Sequence, residues 1–144
     1  MISYLTVGAD DFDAAERFYG SFLPALGYTH SREPGGLSFS IPAENDQTSA
    51  SVDLYVLHPF DGQPTSPGNG TMVAFQARDQ AQVRNLHAAA LAAGGTDEGE
   101  PGFRAIYSAN FYVGYLRDPH GNKIALFSTN PADPDRDGKI AASA

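Results

Sequence analysis

The chain has 144 residues, 17 acidic against 9 basic side chains for a formal charge of −8, four histidines, no cysteine and no tryptophan. That is the length of one domain, or of two half-size repeats fused together, and it suffices to bury a core without disulfide staples. The lack of cysteine excludes thiolate zinc sites, iron–sulfur clusters and thiol nucleophiles, leaving His, Asp and Glu as metal donors, and the acidic excess opposes nucleic acid and anionic membranes.

The first residues, MISYLTVGADD, start on a strand-like run without a basic leader, and no segment approaches the ~20 apolar residues of a membrane span. These features predict a cytoplasmic protein. Asp11 is placed to cap a helix whose apolar stripe, Phe12, Ala15, Tyr19, Phe22 and Leu26, steps by three and four. Pro24 should kink or shorten that helix, and Gly27 punctuates its end. Strand character follows at about 37–41 and 52–57, joined by a polar stretch, and residues 59–70, with three prolines and three glycines, read as a linker.

Past the linker the pattern repeats. A constant offset lays Tyr4-Leu5-Thr6-Val7 on Met72-Val73-Ala74-Phe75, Asp11 on Asp79, Phe18 on Leu86, Leu23 on Leu91 and Gly27 on Gly95. Asp79 with Gln82 has capping-box spacing, Val83, Leu86, Ala90 and Ala93 form the second buried stripe, and Gly94-Gly95 end that helix. Short strands are expected at about 106–107, 111–117 and 123–128, the last two joined by the turn Asp118-Pro119-His120-Gly121-Asn122. Each half thus reads β-α-β-β-β. The expected class is α+β: two βαβββ modules (about 1–58 and 71–130) pairing into a curved, cleft-forming mixed sheet with helices outside, followed by an acidic flexible tail over 131–144.

The run from Val7-Gly8-Ala9-Asp10-Asp11 through Arg17-Phe18-Tyr19 to Leu26-Gly27-Tyr28, with Tyr112 and Arg117-Asp118-Pro119-His120-Gly121-Asn122-Lys123-Ile124, resembles the vicinal oxygen chelate superfamily. Its members include glyoxalase I, bleomycin resistance proteins, extradiol dioxygenases and fosfomycin resistance enzymes. The resemblance implies a divalent metal held in the cleft by His, Glu or Gln from the first and last strands of each half, and a homodimer with clefts shared between chains. The positions that match carry Tyr4, Met72 and Ala125, which are poor ligands, and the fourth, near 54–57, is flanked by Asp53 and His58. The expectation is therefore no cofactor and no metal in the usual place, with a displaced site made from Asp53, His58 and another histidine as the remaining option.

Strand alternation puts Tyr4 with Thr6, Met72 with Ala74, and Ala125 with Phe127 on shared faces. If the resemblance fixes that face as the cleft, these six line it, with Tyr55, Tyr112 and His58 as further ligand-binding candidates and Arg104 at its mouth to pair a carboxylate or phosphate. The other histidines read as bland: His30 in a surface loop, His87 half-exposed on the second helix, His120 solvated in a turn. Asp133, Asp135 and Asp137 open a calcium-loop pattern, but Ala144 stands where the bidentate Glu belongs. Asn69-Gly70-Thr71 matches a glycosylation acceptor without a secretion signal to support it. The function expected is binding of a small organic molecule in an apolar cleft, as in drug or metabolite sequestration. The alternatives are a divalent-metal lyase or isomerase resembling glyoxalase I, or a metal-free acid–base enzyme.

Overall fold

The computed structural model describes residues 1–43 and 51–141. The first half runs β1 (Tyr4–Gly8), α1 (Phe12–Gly20), a 3₁₀ turn (Pro24–Leu26), β2 (Thr29–Glu33), β3 (Gly36–Ser40) and β4 (Asp53–Leu57). The second runs β5 (Met72–Gln76), α2 (Gln80–Ala92), β6 (Thr96–Phe103), β7 (Tyr112–Arg117) and β8 (Lys123–Ser128). Two four-stranded mixed sheets result, ordered β1-β4-β3-β2 and β5-β8-β7-β6, with the first strand of each half parallel to its last. This is the α+β, twice-repeated βαβββ architecture that the repeat predicts.

Both helices begin as expected. The Asp11 carboxylate accepts from the Ala14 N–H at 3.0 Å, and that of Asp79 from the Gln82 N–H at 2.7 Å. Gln82 deviates from a capping box: its amide oxygen takes the N–H of Arg78 rather than of Asp79, and its NH₂ reaches the Ala25 carbonyl in the other half. Helix α1 stops at Gly20, and Pro24 starts a separate turn that Gly27 closes at φ 93°.

Each helix packs on one face of its sheet, so alternate strand residues are buried. Leu54 and Val56 of β4, Leu37 and Phe39 of β3, and Ile124 and Leu126 of β8 face the helices. The halves share one core on this helix side, where Phe22 and Tyr28 meet Phe75 at 5.7 and 6.1 Å between ring centroids.

Two strands escape the sequence pattern. The residues of β2, THSRE, are all exposed, and β6, TDEGEPGF, carries a proline, two glycines and two register shifts. Both are edge strands with no fully buried residue, so pairing with the inner strand supplies the order; the other two edges, β1 and β5, differ in keeping Leu5, Val7, Val73 and Phe75 against the core. Residues 106–107, expected as a strand, lie instead in a turn, with the Tyr107 N–H bonded to the Arg104 carbonyl.

Three histidines are also placed differently from expectation. His30 lies on β2, stacked on Phe39 and 3.2 Å from Glu16. His87 is buried, its Nε2 3.0 Å from the Tyr115 carbonyl, because α2 turns that side onto β7. His120 accepts the Asp11 N–H at Nε2, and its Nδ1 is buried. The C-terminal segment, expected to be loose, is tied down: Asp133 accepts from the first N–H of α2, and Arg136 caps the carbonyls of Ala105 and Tyr107. Asp135 spends its carboxylate on the N–H groups of Asp137 and Lys139, a turn rather than a calcium loop. The end of the calcium pattern, at Ala144, falls outside the described residues.

Candidate functional site

Because the helices cover one face of each sheet, the chemistry available to a ligand is on the other, here called the open face. In the first sheet it carries Tyr4 and Thr6 of β1, beside Asp53 and Tyr55 of β4 in register. The rings of Tyr4 and Tyr55 meet edge to face at 5.6 Å, and Tyr4 is 62% exposed. In the second sheet it carries Met72 and Ala74 of β5, paired with Lys123 and Ala125 of β8, and Phe127 two residues on. The three shared-face pairs expected from alternation thus each fall on an open face.

The β7–β8 register settles the tyrosines. Tyr115 pairs with Ala125 and so stands on the open face, whereas Tyr112 pairs with Ser128 on the helix side. Tyr112 is buried there, edge-on to Phe103 and bonded through its hydroxyl to Arg84, which removes it from the expected cleft wall. Tyr115 was missed by the sequence reading, although counting back from the 118–122 turn pairs 117 with 123 and hence 115 with 125.

Around Tyr115 the open face is aromatic and cationic. Arg104 approaches from the β6 side, its guanidinium carbon 5.5 Å from the ring centroid, and Lys123 from β8, its ammonium 5.2 Å away. The Arg104 fork is held by the carbonyls of Glu100 and Phe103. Phe127 stacks on Phe111 at 5.2 Å, and Phe111 meets Tyr107 edge-on. Burial, and next a hydrogen bond with Tyr107, push the Tyr115 phenol above its ordinary value, against a smaller opposite pull from Arg104. Tyr28, in the groove beside Leu5, Asp53 and Phe75, is likewise raised by burial and then by Asp53.

The structure does not bring His58 to this face. Its Nδ1 is 2.8 Å from the Ala9 carbonyl and its ring stacks on Phe12 at 4.2 Å. Asp53 and His58 bracket β4, roughly 16 Å apart along a strand rising about 3.3 Å per residue, so they cannot share an ion. Among the open surface pockets, Ala74 lines one, Met72 another and His58 a third.

A glyoxalase/bleomycin resistance protein from Albidiferax ferrireducens superposes on this chain with a TM-score of 0.74 and 33% identity, covering 89% of this chain and 98% of that one. The chain belongs to that family. A glyoxalase-related enzyme from Fulvimarina pelagi (22% identity, all of this chain and 99% of that one, TM-score 0.69) shares its fold. So does a glyoxalase/bleomycin resistance protein/dioxygenase family enzyme from Burkholderia phytofirmans (20%, 88% and 97%, TM-score 0.66). No family profile and no curated protein matches the chain.

The glyoxalase/bleomycin resistance/dioxygenase superfamily implies a divalent ion held from β1, β4, β5 and β8. Here the open-face residues of those strands include one carboxylate, Asp53, and no histidine, with Lys123 adding a positive charge. Among the described residues no three His, Asp or Glu side chains converge as an ion site. A catalytic ion takes about three protein ligands, and these residues do not fit one.

Proposed function

We propose that this member of the glyoxalase/bleomycin resistance family binds a small organic molecule on its open sheet faces without a catalytic metal, sequestering a drug or metabolite as a homodimer. The observation that carries the reading is the chemistry of those faces: Tyr4, Tyr55, Tyr115 and Phe127 offer aromatic surface with hydroxyl handles, where a metalloenzyme needs histidine and carboxylate donors. Such a surface suits a flat or amphipathic body.

Elemental analysis of the purified protein, paired with thermal unfolding across a panel of aromatic and amphipathic compounds, tests this. The expected result is no stoichiometric Ni, Zn or Mn and a concentration-dependent rise in melting temperature. A ligand at about 100 times its Kd adds about 2.7 kcal/mol of stability. Stoichiometric metal, with turnover that a chelator abolishes, would make the protein a lyase or isomerase and overturn the reading.

A further inference from the structure

The net charge of this chain is strongly negative, yet one face reverses it. On the open face of β5, β7 and β8 the only formal charges are those of Arg117 and Lys123, and Arg104 reaches over from the end of β6. Arg117 is neutralised by Glu98. Arg104 and Lys123 form no ion pair with a described carboxylate, in a chain that has 17 acidic residues to offer.

The two free cations flank the same ring, Arg104 from the β6 side at 5.5 Å from the centroid of Tyr115 and Lys123 from β8 at 5.2 Å, so the potential beside that ring favours an anion. The backbone makes room for this. A Cβ on Gly99, which sits at φ 153°, would stand 3.1 Å from both Arg104 Nη2 and Tyr115 Cδ2, so the glycine relieves crowding where the guanidinium lies over the phenol. Carbonyls of Glu100 and Phe103 hold the guanidinium there before any ligand arrives, which reduces the ordering cost of binding. On the same face, Phe127 and Phe111 supply a stacked aromatic surface for a planar body.

We infer that the ligand class of this face is a planar aromatic carboxylate, its anionic group drawn to the cations that flank Tyr115, Arg104 and Lys123, and its ring system against the Phe111–Phe127 pair. This rests on the ligand-binding reading above and names the charge of its ligand.

Three probes of matched shape test it by calorimetric titration: 2-naphthoate, 2-naphthylmethanol and 2-naphthylmethylammonium. The carboxylate should bind about tenfold tighter than the alcohol, with an advantage that shrinks as salt is added, and the ammonium should bind weakest. Arg104→Gln and Lys123→Gln should each bring naphthoate toward the alcohol while leaving alcohol binding unchanged. If the alcohol or ammonium binds the wild-type protein as tightly as the carboxylate, or the double variant keeps the preference, the inference is overturned and the ligand-binding reading stands. If no probe binds, both fall.

Discussion

Asp118 shows how one side chain can join the two halves. It is 3% exposed, and its two oxygens take four donors: the Tyr19 hydroxyl at 2.7 Å, the Asn122 amide at 2.8 Å, and the N–H groups of His120 and Asn122 at 2.9 Å each. The same Asn122 amide donates to the Gly8 carbonyl, so the β7–β8 turn grips both α1 and the end of β1. A buried carboxylate is tolerable only when satisfied in this way. Tyr19→Phe removes one donor and should cost about 1–3 kcal/mol in urea unfolding at neutral pH. Burial, then the charge of Asp118 and the hydrogen bond to it, raise the Tyr19 phenol well above its ordinary value of 10.0. An acid raised in the fold keeps its proton after the unfolded chain has lost it. Its contribution is therefore complete below pH 10 and declines as pH rises beyond it, and Tyr19→Phe should flatten that alkaline decline. An unchanged alkaline slope would place the titration elsewhere.

At the scale of elements, what decides is whether a segment has a buried face. Helices α1 and α2 and strands β1, β3, β4 and β5 turn apolar residues to the core on one side, and β7 and β8 bury residues on both, so apolar residues mark all of them in the sequence. Strands β2 and β6 have no such signature, since neither buries a residue and both are ordered by hydrogen bonds to the inner strand. Glycines separate the same way. At Gly95, which accepts no strain from φ, a Cβ would sit 2.8 Å from Phe18 and 2.9 Å from the Ala90 carbonyl, at the seam between α2 and α1. At Gly20, in the last turn of α1, a Cβ would meet nothing within 4 Å. Gly95→Ala should therefore destabilise by about 1–3 kcal/mol. Gly20→Ala should be neutral or stabilising by up to about 1 kcal/mol. Denaturant midpoints of the two variants give the comparison, and equal effects would contradict the packing at this seam.

The whole molecule keeps most of its core on the helix side; the open faces bury Val113 and Ala125 but leave Tyr4 and Met72 exposed by 62% and 44%, with Tyr107 nearby exposed by 43%. Apolar surface left in water forgoes about 25 cal/mol per Å², so covering such faces is favourable. Covering them is the role expected of the proposed homodimer. Sedimentation equilibrium should show a dimer at micromolar concentration, and Tyr4→Glu with Met72→Glu should shift it toward monomer while circular dichroism stays unchanged. A wild-type monomer under these conditions would remove the dimer from the proposal.

The sequence by itself determined the repeat, both helix starts, the class of fold and the three open-face pairs Tyr4/Thr6, Met72/Ala74 and Ala125/Phe127, because caps and hydrophobic periods are local and are written in consecutive residues. It also limited the donors a metal could find. Only the tertiary structure decided that Tyr115 rather than Tyr112 shares a face with Ala125, that His58 turns to Phe12, that His87 is buried, and that Arg104 and Lys123 flank one ring. Those facts depend on strand register and on which loop folds over which sheet. The energies that set them come from contacts between residues distant in the chain, where no local spacing carries the signal.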